Sequence, residues 1–235
     1  MDEAFLDVDK APDGGTESDG GTDPHGMDVV VRAPRAEWRR RQIIDAATSV
    51  MEREGFHRAS MAAVAEAAGI SVGLIYQYVA NKEDLLQLVL LDVLEEFRAA
   101  LPAATEGVDD PIERLARVFS AYCTVIDRRH RALVLAYRET RTLPPDGRAQ
   151  VMGAELVKLG PFVTAIEDAA AEGLMEVEDP TLLTYTLVMS AHAWALKHWF
   201  LSERATLEEY RRHQLGLVLR ATLTPDARER YRHLL

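Results

Sequence analysis

At 235 residues, 48% of them hydrophobic, the chain has length for one or two domains and enough apolar sequence for a substantial core, which excludes disorder of the whole. One cysteine, Cys123, excludes an internal disulfide framework, and no run approaches the roughly eighteen consecutive apolar residues of a membrane-spanning helix. The net charge of −11 argues against a nucleic-acid binder until its distribution is read: residues 1–28 hold nine acids against Lys10, the other 207 residues carry −3, and residues 29–90 balance at +1.

The opening MDEAFLDVDK carries acids where a secretory signal has a basic region, and with the lone cysteine this predicts a cytoplasmic location. Residues 1–31 are rich in Gly, Asp, Thr and Pro without periodicity and read as a disordered acidic arm. From Arg35 to Glu54, Ile43, Ala47, Val50 and Met51 mark one face of an amphipathic helix with Arg39, Arg40 and Arg41 near its start. Gly55 closes that helix, and Phe56 is placed to staple it to the next element.

The stretch Ala59 to Leu86 spells two short helices joined by a tight turn. Met61, Val64, Ala65 and Ala68 fall at helical spacing behind a capping Ser60, Gly69 stops the helix, and Ser71 caps a second one from Val72 to Val79. Two helices across a glycine-containing turn are the signature of a helix-turn-helix, which enters a DNA major groove. Asn81 caps a long connecting helix carrying Leu85, Leu88, Val89, Val93 and Phe97, expected to stop at Pro102.

Pro111 opens a helix with Ile112, Leu115, Val118, Phe119, Tyr122 and Ile126, which the charged run DRRHR separates from a helix over Ala132 to Thr142. Asp146 to Glu172 is helical by pattern, with Gly160-Pro161 expected to kink or split it and Gly173 to end it. A helix from Pro180 to about Leu201 is apolar on several sides and therefore buried, and Thr206 begins the last clear helix, to about Leu223. No strand pattern or repeat is visible, so the expected fold is all-α, with a small head and a larger C-terminal bundle.

The run Arg41 to Leu86 resembles the DNA-binding domain of TetR-family transcriptional regulators. The resemblance rests on Gly55-Phe56, the turn Ala65-Glu66-Ala67-Ala68-Gly69-Ile70-Ser71, then Gly73, Tyr76, Tyr78 and Asn81-Lys82-Glu83, with Val79 standing where the family often has Phe. It implies an arm (1–31), a helix-turn-helix domain (32–80) and a ligand-binding and dimerisation domain (81–235). It also implies a homodimer formed through the last two long helices, a repressor's grip on a palindromic DNA operator, and release by a small-molecule effector.

Mapped onto this chain, the recognition helix is Val72 to Val79. Gln77 carries the donor and acceptor for a bidentate contact to adenine, Gly73 lets the backbone approach, and Ser71, Val72 and Leu74 add hydroxyl or methyl contacts. Phosphate contacts fall to Ser60, Tyr76, Tyr78, Lys82 and one or more of Arg39, Arg40 and Arg41. Tyr76 alternatively reads as a core aromatic, Lys82 as a solvated residue, and Ser60 is a helix cap under either reading.

More faintly, Trp194 to Trp199 followed by Thr206 to Tyr210 is similar to the branch controlling fatty-acid or steroid breakdown in answer to acyl-coenzyme A thioesters. That similarity implies Tyr137, Arg138, Arg141 and Lys197 near the ligand's polar end and Leu133, Phe162, Tyr185 and Trp194 along an acyl slot, although aromatics at such spacing also read as ordinary core or dimer interface. Cys123 with His130 offers too few ligands for zinc, so no metal and no cofactor are assigned. An all-α enzyme is the competing class, but no P-loop, GxSxG, HExxH or paired acid-rich motif supports it. A DNA-binding protein without an effector is the third reading.

Overall fold

The computed structural model describes the backbone from Pro24 to Leu235 and side chains from residue 36 onward. The chain divides into two compact units, Met1–Trp38 and Arg39–Leu235. Of the first, the described part is helical backbone; the remainder of the fold concerns the second. The arm expected over 1–31 lies outside the described residues as far as residue 23. From Pro24 the backbone belongs to α1 (Pro24–Glu54), so this helix starts well ahead of the expected Arg35.

The head is built as its caps dictate. α1 ends at Gly55, whose φ of 80° is a left-handed conformation that a side chain would strain. In α2 (Met61–Ala67) the Ser60 hydroxyl accepts from the Ala63 amide, and in α3 (Val72–Ile75) Ser71 does the same for Leu74. Gly69, at φ 62°, makes the turn between them. Ile43, Ile44, Ala47, Val50, Phe56, Val64, Ala65, Ile75 and Val79 are buried and close the three helices on one another. The recognition segment departs from expectation in one respect: regular α-helix covers only Val72–Ile75. Tighter hydrogen bonds from Gln77 to Leu74 and Tyr78 to Ile75 carry the chain on to Val79.

α4 (Lys82–Thr105), capped by Asn81, is the connecting rod. It does not stop at Pro102. Pro102 forfeits the amide bond to the carbonyl one turn earlier, and the helix continues past it to Thr105. α5 (Pro111–Arg128) is the axis of the bundle, with Leu115, Val118, Phe119, Tyr122, Cys123 and Ile126 buried against α4, α8 (Gly160–Ala171), α9 (Pro180–Leu196) and α11 (Leu207–Thr222). Asp110 caps α5 through the Ile112 and Glu113 amides and also holds the Tyr231 hydroxyl at 2.7 Å, which ties the chain's end to that cap.

α6 (His130–Glu139) follows after Arg129 and passes into a short 3₁₀ turn, Thr140–Thr142. The segment expected to kink at Gly160-Pro161 is split outright into α7 (Pro145–Val157) and α8. The helix expected to run from Pro180 to Leu201 breaks at Lys197 into α9 and the short α10 (His198–Leu201). α11 begins with a full capping box between Thr206 and Glu209, and a further short helix, α12 (Pro225–Arg230), follows Thr224. Among the described residues there is no sheet, only the isolated bridge Met175 to Leu223, and no helix is long and apolar enough to cross a membrane.

Candidate nucleic-acid interface and effector cleft

The helix-turn-helix presents one face outward. Ser71, Val72, Gly73, Tyr76 and Gln77 are exposed and Leu74 is half-buried, while Ile75 and Val79 on the opposite side are in the core. A Cβ added at Gly73 would meet nothing within 4 Å. Nothing inside the fold therefore requires glycine there, and the room it leaves faces outward. Tyr76, at 52% exposure, is a surface residue and not a core aromatic. Tyr78 is half-buried against the core.

The cations around this face differ in availability. Lys82 donates to the His57 carbonyl at 2.9 Å and lies 4.7 Å from the centre of the Phe56 ring, so it is anchored beside the turn following α1. Arg41 is exposed. Arg39 donates to Gln42 at 2.8 Å, and Gln42 in turn donates to the Ala68 carbonyl at 2.6 Å, fastening α1 to the end of α2. Arg40 points the other way, to Asp92 on α4 at 2.9 Å. Of the three consecutive arginines, Arg40 is thus engaged between helices.

In the bundle, a cleft of about 490 Å³, its open mouth included, is lined by Leu90, Val93, Phe97, Leu133, Met152 and Lys158 among others. Of the residues expected to hold a ligand, Leu133 alone lies on it. Phe162 is fully buried with its ring 5.5 Å from that of Tyr122. Trp194 is buried, donating to Asp127 at 2.7 Å, with its ring 5.0 Å from that of Tyr210 and tilted by 43°. Arg138, Arg141, Lys197 and Tyr185 are on the surface. Phe162 and Trp194 are packed in the core, where a large ring on an inward face buries the most area.

Tyr137 joins a network behind the cleft. Its hydroxyl lies 2.7 Å from His192 Nδ1, and the Tyr122 hydroxyl lies 2.7 Å from Nε2 of the same ring. Burial, with the charge of Lys158 adding to it, lowers the His192 pKa to about 3, so the imidazole is neutral and serves one tyrosine as donor and the other as acceptor. Burial likewise raises the Cys123 thiol to about 12. Lys158 is the functional candidate that the sequence reading passed over; the only trace of it was a lone cation in the apolar run Leu156-Val157-Lys158-Leu159.

Comparison with known proteins agrees with this architecture. Residues 43–89 match the model for bacterial regulatory proteins of the tetR family, and residues 108–222 match that for a tetracyclin repressor-like C-terminal domain. The HTH-type transcriptional regulator HbdR of Aromatoleum sp. (strain CIB) is 39% identical over 196 residues, 83% of this chain and 86% of HbdR. In fold, a tetR-family regulatory protein from Rhodococcus RHA1 superposes with a TM-score of 0.70 at 22% identity, over 77% of this chain and 95% of that one. AibR, solved in complex with isovaleryl coenzyme A and operator DNA, superposes with a TM-score of 0.66 at 22% identity, over 76% and 97%.

Proposed function

This chain belongs to the TetR family of bacterial regulatory proteins, and from that premise we infer a homodimer that binds a palindromic operator as a repressor and releases it on binding an acyl-coenzyme A thioester. That it is a DNA-binding transcriptional regulator follows from the family. The observation carrying the operator reading is the polarity of the recognition segment. Gln77 and Tyr76 face solvent beside a glycine that no internal contact demands, and Ile75 and Val79 hold the segment to the core.

The dimer reading rests on unburied apolar surface. Leu182 (66% exposed), Tyr185 and Met189 follow one another along α9, and Trp199, Phe200 and Leu217 on α10 and α11 are exposed as well. Such residues gathered on neighbouring helices exclude water when a second copy covers them, and a two-fold pair sets two heads about one DNA turn, ~34–36 Å, apart. Within each copy we assign residues 32–80 to DNA binding, 81–235 to effector binding and dimerisation, and 1–31 to an acidic arm. The cytoplasm, where DNA is reached, is the proposed location.

The acyl effector reading is supported by an apolar cleft with a cation at its side and by the relative AibR, crystallised with such a thioester. Linkage then fixes the sign: a ligand that favours the low-affinity arrangement of the heads weakens operator binding by the same factor that operator weakens ligand binding. The test is to select an operator from random DNA with the purified protein and titrate acyl-coenzyme A thioesters into the complex in a gel-shift assay. Recovery of two-fold symmetric sites, released by a thioester, is the expected result. Asymmetric sites, or a complex indifferent to every thioester while another hydrophobic compound releases it, refute the corresponding half of the reading.

A further inference from the structure

The end of α7 distributes its side chains against their hydropathy. Leu156 and Val157 are 60% and 70% exposed, whereas Lys158, the residue after them, is 6% exposed. The Lys158 ammonium lies 4.9 Å from the centre of the Phe97 ring and 5.4 Å from that of Tyr122, and its carboxylate partner, Glu155, is 3.5 Å away. An ammonium has three N–H donors; two aromatic faces and one long ion pair meet that demand incompletely. Burial pulls its pKa below the ordinary lysine range, and Glu155 partly restores it. The space in front of it is the cleft, whose lining includes Leu90, Val93, Leu94 and Leu133 together with the polar Thr140 and Glu155.

Resting on the acyl effector reading above, we propose that Lys158 donates to the carbonyl oxygen of the effector's thioester, and that the Lys158–Glu155 pair selects the thioester against the free acid of the same chain. A neutral carbonyl takes one of the unmet donors and leaves the ion pair intact. A carboxylate brings a second negative charge to an ammonium that already serves Glu155, and like charges held close repel, with water screening part of it because Glu155 is 45% exposed. The apolar wall then takes the acyl chain, and the coenzyme's phosphates remain outside the cleft.

The experiment uses the full-length protein and acyl N-acetylcysteamine thioesters of graded chain length, which carry the thioester without the coenzyme's phosphates, beside the matching free acids. Calorimetric titration is expected to show at least ten-fold tighter binding of the best thioester than of its acid. Lys158→Met lowers thioester affinity at least ten-fold with helical circular dichroism intact, and Glu155→Gln narrows the thioester-to-acid ratio by raising affinity for the acid, a gain that a damaged fold does not produce. An unmoved ratio in Glu155→Gln, or undiminished thioester binding in a folded Lys158→Met, overturns the role of the pair and leaves the effector reading standing. If neither these thioesters, the coenzyme A thioesters nor the acids bind the wild-type protein, the effector reading itself falls, and this proposal with it.

Discussion

Asp92, in the middle of α4 and 6% exposed, is bound by Arg129 from the junction of α5 and α6. Its other oxygen accepts from Arg40 of α1 at 2.9 Å, so one carboxylate joins the head to the bundle. Arg129 also reaches Glu96 at 3.6 Å. Removing one partner of a buried pair leaves uncompensated charge, which costs more than the pair itself contributes. Asp92→Asn is expected to destabilise the fold by about 2–4 kcal/mol, the low side of that range because Arg40 is 30% exposed; urea denaturation measures it. Arg40→Ala should lower stability too, while exposed Arg41→Ala leaves the urea midpoint in place and lowers the salt slope of operator binding by about 1. A reversed pattern would reassign the two arginines.

Gly73 separates folding from DNA contact. Because a Cβ there meets nothing within 4 Å, Gly73→Ala should fold at least as well as the wild type, gaining roughly 0.5–1 kcal/mol from helix propensity. Operator affinity should nevertheless fall by at least ten-fold. Gln77→Ala is expected to cost about 1–3 kcal/mol of discrimination at one base pair and little against random DNA. Competition binding with operators altered one position at a time distinguishes the two effects.

His192 makes stability depend on pH. The folded state holds the ring neutral with its pKa lowered to about 3, whereas an unfolded chain protonates it near the ordinary value of about 6.5. Its contribution is therefore fully present above pH ~6.5 and is lost as pH falls toward 3, by up to about 1.4 kcal/mol per unit. Between pH 6.5 and 5 the wild-type melting temperature should fall more steeply than that of His192→Gln. Parallel curves would show that the ring takes up its proton as readily when folded.

The apolar residues along α9 make the dimer testable without DNA. Leu182→Glu with Met189→Glu places two carboxylates on helix positions that are 66% and 47% exposed in the single chain. The double variant should fold but sediment as a monomer at micromolar concentration, and its operator affinity should drop by two orders of magnitude or more. A variant that remains dimeric would move the interface elsewhere.

Cys123 is expected to be inert. It is 1% exposed, and burial raises its thiol to about 12, so thiolate is scarce at neutral pH. Ellman's reagent should label it only as fast as the protein unfolds, with labelling becoming immediate in denaturant.

What can be read from the order of residues alone is local. Ser60, Ser71, Asn81 and Thr206 each cap an amide three residues on, Gly55 and Gly69 stop helices through their own φ, and the helix-turn-helix with its outward residues could be read because these devices act within one turn. The all-α class followed from the same short-range grammar, and the family from the resemblance carried by residues 41–86. Even there a detail differed: regular α-helix ends at Ile75, and tighter hydrogen bonds carry the chain on to Val79. Pairing across long separations is set by the packing of the folded chain. Arg40 lies 52 residues from Asp92, and Tyr122 70 from His192, and no periodicity encodes which distant helix face receives a side chain. Phe162 and Trp194 show the same limit, having the spacing of a slot and the surroundings of a core, and Lys158 reads as a surface cation until Phe97 and Tyr122 close over it.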